Sequence, residues 1–106
     1  MDSIFNKLEK ILEERKSASS DQSYVSSLYS KGTSSILDKI SEESEEVINA
    51  VNEEGRKEVI HEVADLWFHL LVLLRHENIQ VEEIESELAR RFGVSGHDEK
   101  ASRKNS

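Results

Sequence analysis

An all-α fold, an antiparallel bundle of four to five helices, is what this sequence predicts, and three observations predict it. Proline is absent and only 4 glycines punctuate the 106 residues. Apolar residues recur at three- and four-residue spacing in one stretch after another, which is the period of a helix face. Between those stretches lie short groups of Ser, Gly and Asn, which stop helices rather than extend strands.

The elements follow in order. Ile4, Phe5, Leu8, Ile11 and Leu12 form one apolar face of a first helix, with charges opposite. The serine-rich SASSDQ at 17–22 reads as a loop, and residues 23–30 as a short helical piece stopped near Gly32. Thr33 stands where it can cap a helix over 34–52, whose apolar positions are Ile36, Leu37, Ile40, Val47, Ile48 and Val51. A turn around Glu54–Gly55 leads to a third long helix over 56–76. From Leu66 to Leu74 its apolar side chains cover nearly the whole circumference, so this helix, Trp67 included, is expected in the core. Asn78 marks a turn, and Val81, Ile84, Leu88 and Phe92 give a last helix its face. From Gly93 the chain is polar and aperiodic. The expected organisation is a single domain over 1–92 and a polar tail over 93–106.

Charge narrows the functions open to such a bundle. The formal net charge is -8, and 34% of the residues are charged. Binding nucleic acid through its phosphates takes a basic face, so that class is excluded. An acidic chain still binds a polyphosphate when a divalent cation stands between the two. No cysteine is present, which removes disulfides and thiolate chemistry. The longest apolar run, Ala64 to Leu74, is interrupted by Asp65 and His69 and is too short for a bilayer. The start, MDSIFNKLEK, has no apolar stretch of the signal-peptide kind. The expectation is a cytoplasmic protein with no membrane association.

The acids are the informative residues. SEESEEVINAV at 41–51 puts four carboxylates within five positions and then turns apolar; HEVADLWFHLLVLL at 61–74 repeats the juxtaposition with Glu62 and Asp65. At about 100° per residue, Glu43 and Glu46 project as neighbours on the shoulder of the stripe made by Ile40, Val47 and Ala50. Glu42 points further toward solvent and Glu45 almost fully away. On the next helix Glu62, Asp65 and His69 share a flank, whereas His61 is expected to point elsewhere. A short turn between the two helices favours an antiparallel pair, which brings Glu43, Glu46, Glu62 and Asp65 to one edge of the core.

Four neighbouring carboxylates need a reason. Two like charges ~4 Å apart repel by about 4 kcal/mol at an effective dielectric near 20. A small domain has only about 5–15 kcal/mol of stability to set against such pairs. A divalent cation removes the penalty, and an all-oxygen donor set suits a hard ion such as Mg²⁺, with Mn²⁺ as a substitute. Carboxylates on facing helices therefore point to metal-assisted phosphoanhydride chemistry. The competing readings are a solvated acidic face, which fits Glu42 and Glu45 taken alone, and a carboxylate-bridged di-iron bundle. The latter wants two Glu-x-x-His pairs, and only Glu58 and His61 have that spacing.

The ordered set of SYVSSLYSKG at 23–32, ILDKISEESEEVINA at 36–50, EVADLWFHLLVLL at 62–74 and the tail GHDEKASRK resembles the MazG-like all-α nucleoside triphosphate pyrophosphohydrolases. Their hallmark is EExxE followed after a spacer by ExxD. Within them the resemblance is closest to the phosphoribosyl-ATP pyrophosphatases of histidine biosynthesis, and it covers residues 3–104. That resemblance implies Mg²⁺-dependent hydrolysis of phosphoribosyl-ATP to phosphoribosyl-AMP and diphosphate. Carried over, Glu43, Glu46, Glu62 and Asp65 would hold metal, with Glu42 the less certain member. The alternatives are a housecleaning hydrolase of free nucleoside triphosphates and a non-catalytic helical dimerisation module.

Around that centre, Glu42 and Glu46 are the candidates for the carboxylate that takes a proton from the attacking water, since no Ser, Cys or His arrangement supports a covalent route. Lys39 either reaches a substrate phosphate or pairs with Glu43 one turn on. Lys31 and Gly32 either shape the substrate pocket or simply end a helix. Tyr24 and Tyr29 either stack on adenine or pack. His69 is read as supporting the site or the core rather than ligating metal. A homodimer is expected, because the third long helix is apolar on too many sides for one chain to cover, and because the resemblance implies one.

Overall fold

The computed structural model describes residues 3–18 and 23–92. Every regular element among them is a helix: α1 Ile4–Arg15, α2 Tyr24–Lys31, α3 Thr33–Glu53, α4 Arg56–His76 and α5 Val81–Phe92. The all-α expectation holds. The tail expected over 93–106, and residues 19–22 of the expected loop, lie outside the described residues.

Local chemistry sets the helix ends. Ser3 and Ser23 cap α1 and α2, each hydroxyl accepting from the amide three residues on, Asn6 at 3.3 Å and Ser26 at 3.0 Å. Gly32 closes α2 and opens α3 at φ 97°, a left-handed conformation that a side chain would resist. Thr33 therefore does not cap α3. It is the first helical residue, and its hydroxyl lies 2.9 Å from His76 Nε2 instead. Asn78, at φ 58°, ends α4 in a Schellman motif: Ile79 N–H donates to the Leu74 carbonyl at 2.8 Å and Asn78 N–H to that of Arg75 at 3.2 Å.

Contacts fix the topology. Thr33 meets His76, and Glu43 lies 4.0 Å from His69, so residue numbers fall on α4 as they rise on α3. That is an antiparallel pair, as the two-residue turn at Glu54–Gly55 predicts. Along α1 the order runs with α4: Phe5 packs on Trp67 with ring centroids 5.4 Å apart, and Glu13 pairs with Arg75 at 2.9 Å. The short α2 also runs with α4, through Tyr24–His69 and Tyr29–His76. The buried core is Leu12, Leu28, Ile36, Leu71, Val72 and Val81, drawn from all five helices.

Arg75 joins three elements. Its guanidinium donates to Glu13 Oε1 at 2.9 Å and to the Ile79 carbonyl at 2.7 Å, and stands 3.4 Å from Glu9 Oε2. Glu9 in turn accepts from the Val81 amide at 2.7 Å, which ties the start of α5 to α1.

Two apolar expectations are corrected. Trp67 is not in the core of the chain: it is 51% exposed, touched by Phe5 of α1 but left half open by the described helices. Leu37, Ile48 and Val51, expected on the buried face of α3, also point outward, while Ile36 and Ala50 carry its burial. The reason is the number of partners. Each long helix has apolar residues on more sides than the described helices cover. None of the described helices is long and apolar enough to cross a membrane.

Candidate active site

The seam of α3 and α4 gathers the acids. Glu43 and Glu46 sit one turn apart on α3, opposite Glu62 on α4, and each of the three offers an oxygen within 4.8 Å of the others. Glu62, Asp65 and His61 form a second group of the same tightness. Glu62 belongs to both, so the four carboxylates singled out by helical spacing do converge.

Their environment is unbalanced. Glu43 is only 6% exposed, and its Oε2 has no hydrogen-bond partner; Glu62 Oε1 is likewise buried and unpartnered. No Lys or Arg ion pair to any of the four is found among the described residues. Burial, then the hydrogen bond and charge of Glu46, then Asp65, push the Glu43 carboxyl up to about 7, with Lys39 opposing. Glu62 is raised as well, by burial first and Glu46 next, with His61 opposing. Near neutral pH Glu43 is thus partly protonated, where a carboxylate normally holds no proton. Orphaned buried oxygens, short mutual distances and an oxygen-only donor set are what a hard divalent cation fits.

His61 departs from expectation. It does not point away from the acids: its Nε2 lies 3.3 Å from Asp65 Oδ2. The signal was available, since His61 stands four residues before Asp65, the spacing at which helical side chains meet.

Glu42 is set apart from the carboxylate group. It lines a cleft of about 350 Å³ on the α2 side of α3, together with Tyr24, Lys31, Asp38 and Lys39. Lys39 pairs with Glu42 at 3.8 Å rather than with Glu43. The structure thus brings Tyr24, Lys31 and Lys39 together beside the acids. Tyr24 does not offer its ring face to a buried stack; its hydroxyl turns to His69 Nε2 at 2.8 Å. Burial raises the Tyr24 phenol, opposed by the Lys39 ammonium beside it, and Tyr24 is in turn the largest cause of the raised pKa of Lys39. His69 is 5% exposed, with its Nδ1 2.9 Å from the Asp65 carbonyl. The Tyr24–His69 tie joins residues 45 apart in sequence and left no periodic trace.

Comparison with known proteins identifies the family. The family model described as phosphoribosyl-ATP pyrophosphohydrolase matches residues 5–92, from the first turn of α1 to the end of α5. The chain is 63% identical over 105 residues to a phosphoribosyl-ATP pyrophosphatase of Vesicomyosocius okutanii, covering 99% of this chain and 100% of that relative. It is 59% identical over 105 residues to one from Ruthia magnifica, again across 99% of this chain and 100% of the relative. To one from an Azoarcus species it is 48% identical over 102 residues, 96% of this chain and 95% of the relative. The helices that carry the acids and those that enclose them fall inside the matched span, and the chain belongs to the phosphoribosyl-ATP pyrophosphohydrolase family.

Proposed function

We infer that this hydrolase splits the α–β phosphoanhydride of phosphoribosyl-ATP, giving phosphoribosyl-AMP and diphosphate in histidine biosynthesis, and that it does so with Mg²⁺ held by Glu43, Glu46, Glu62 and Asp65. One observation carries the metal reading: two buried carboxylate oxygens, on Glu43 and Glu62, lack any partner within a group of mutually repelling acids. Leaving such atoms unpaired is costly unless something cationic answers them. A bound divalent cation supplies charge neutralisation at the anhydride and stabilises the diphosphate leaving group.

The chain's own residues do the rest. Glu46 is exposed, borders the group and has no Lys or Arg ion pair among the described residues, so it is the carboxylate we assign to take the proton as the water oxygen attacks phosphorus and the anhydride P–O bond breaks. Glu42, held by Lys39, serves the cleft instead. Lys31 and Lys39 meet substrate phosphate oxygens there, and Tyr24 shapes the cleft wall.

The working unit we infer is a homodimer of the 1–92 domain, in the cytoplasm, with the tail over 93–106 outside it. Phe5, Trp67, Leu70, Ile84 and Leu88 line an apolar groove of about 370 Å³, with Trp67, Leu70 and Leu88 exposed. A second copy of the chain is the apolar surface that would cover it.

The test is diphosphate release from phosphoribosyl-ATP with Mg²⁺ and with EDTA. Release with the metal and none with the chelator is expected. Turnover of dCTP or dUTP but not phosphoribosyl-ATP would move the chain to the housecleaning class instead.

A further inference from the structure

His61 borders the acid seam but has no part in the Mg²⁺ set. Its side chain is 71% exposed, yet its Nε2 lies 3.3 Å from Asp65 Oδ2, one turn further along α4. His61, Glu62 and Asp65 each offer an atom within 4.8 Å of the others, and Glu62 also belongs to the group of Glu43 and Glu46.

The separation of His61 and Asp65 suits one arrangement better than another. An N–H···O hydrogen bond is ordinarily about 2.7–3.2 Å long, so 3.3 Å is loose for one. Two donors bound to one ion at about 2.0–2.2 Å, at angles between square and tetrahedral, stand about 2.8–3.6 Å apart. The pair therefore has the spacing of two adjacent ligands. An independent observation points the same way. Glu62 Oε1 is buried with no hydrogen-bond partner, and in the neighbouring group the Glu43 side chain, 8% exposed, leaves its Oε2 in the same state. Carboxylate oxygens so placed call for a cation.

Donor chemistry decides which cation. Carboxylates alone suit a hard ion, whereas an imidazole nitrogen suits borderline ions such as Zn²⁺ and Co²⁺. The exposure of His61 leaves the remaining positions to water.

We propose that His61 is a metal ligand: with Glu62 and Asp65 it forms a mixed nitrogen–oxygen position on the solvent side of the seam, which takes a borderline first-row cation in preference to Mg²⁺. The proposal rests on the reading of the seam as a cation site. It adds to that site a donor that the EExxE and ExxD pattern does not contain.

Two measurements test it on the full-length chain, with the metal ions themselves as probes. Nitrogen-15 NMR of histidine-labelled wild-type protein, with His61 assigned through its backbone, follows Zn²⁺ addition at about pH 8, where imidazole is ordinarily neutral. The His61 Nε2 is expected to move to a metal-bound resonance. An unmoved His61 ring overturns the proposal and leaves an ordinary exposed His–Asp pair.

Calorimetry then compares Zn²⁺ and Mg²⁺ on wild type and His61→Gln. Zn²⁺ affinity is expected to fall at least about tenfold in the variant, while that for Mg²⁺ stays within about twofold. Unchanged Zn²⁺ affinity overturns the proposal. So does an equal loss for both ions, since that is what a general disturbance of the seam produces. Should His61→Gln fail to fold, the wild-type NMR still decides. A wild-type protein that binds neither ion sinks the reading of the seam as a cation site. One that binds Mg²⁺ with its His61 ring unmoved by Zn²⁺ sinks only the ligand role.

Discussion

Two places in this bundle crowd acids against a helix seam, and they differ in what answers the charge. At the top of α1, Glu9 and Glu13 converge on Arg75, whose guanidinium meets both carboxylates and the Ile79 carbonyl. At the α3–α4 seam, Glu43, Glu46, Glu62 and Asp65 converge on one another, with imidazoles at the edge and no Lys or Arg ion pair among the described residues. The first cluster answers its carboxylates with a cation of the chain's own and holds elements together, even though Arg75 Nε is itself buried without a partner. The second is incomplete within the chain, and a site that folding leaves unsatisfied is one kept for something from outside.

Substitutions at the two clusters should therefore have opposite signatures. Glu62→Gln is expected to lower turnover by at least about a thousandfold, since it removes one of the carboxylates we infer to hold the metal. The same change relieves repulsion, so the metal-free thermal midpoint should stay level or rise, and the helical circular dichroism should persist. Arg75→Met should do the reverse. Losing charged hydrogen bonds to α1 and to the turn before α5 costs about 2 kcal/mol, read as an earlier urea midpoint. Its kcat, measured where the variant remains folded, should match wild type.

The contrast also predicts a pH dependence. The folded Glu43 carboxyl sits at about 7, above an ordinary value of 4.5. The folded state therefore binds more protons than the unfolded one between those values, and this group's contribution is complete below 4.5 and lost as pH rises through 7. Metal-free protein should lose stability from about pH 5 to pH 7, a slope that Glu43→Gln flattens. At the bottom of the scale, Glu45→Ala should shift stability by under about 0.5 kcal/mol and leave activity alone, because Glu45 stands in solvent beside the same acids without joining them.

What was legible in the sequence divides along the same line. Angular spacing separated Glu43 and Glu46 from Glu45, and the two-residue turn gave the antiparallel pairing that faces them with Glu62 and Asp65. Both are local geometry. His61 was misjudged because its side chain swings back to Asp65 at i+4, and Thr33 because Gly32 at φ 97° took the capping place. Trp67 reads as core in any periodicity argument, since pattern reports how apolar a face is, not which partner covers it. The Tyr24–His69 tie needs the third dimension outright, because it joins α2 to α4 across 45 residues of sequence.

The most direct test is a calorimetric titration of Mg²⁺ into the protein at pH 7, run in two buffers of different ionisation enthalpy and repeated on Glu62→Gln. Binding by wild type with net proton release, as the cation displaces the Glu43 proton into the buffer, and loss of that binding in Glu62→Gln are expected. Equal Mg²⁺ binding by both proteins, or none by wild type, would contradict the claim that the seam's acids are gathered to hold a cation.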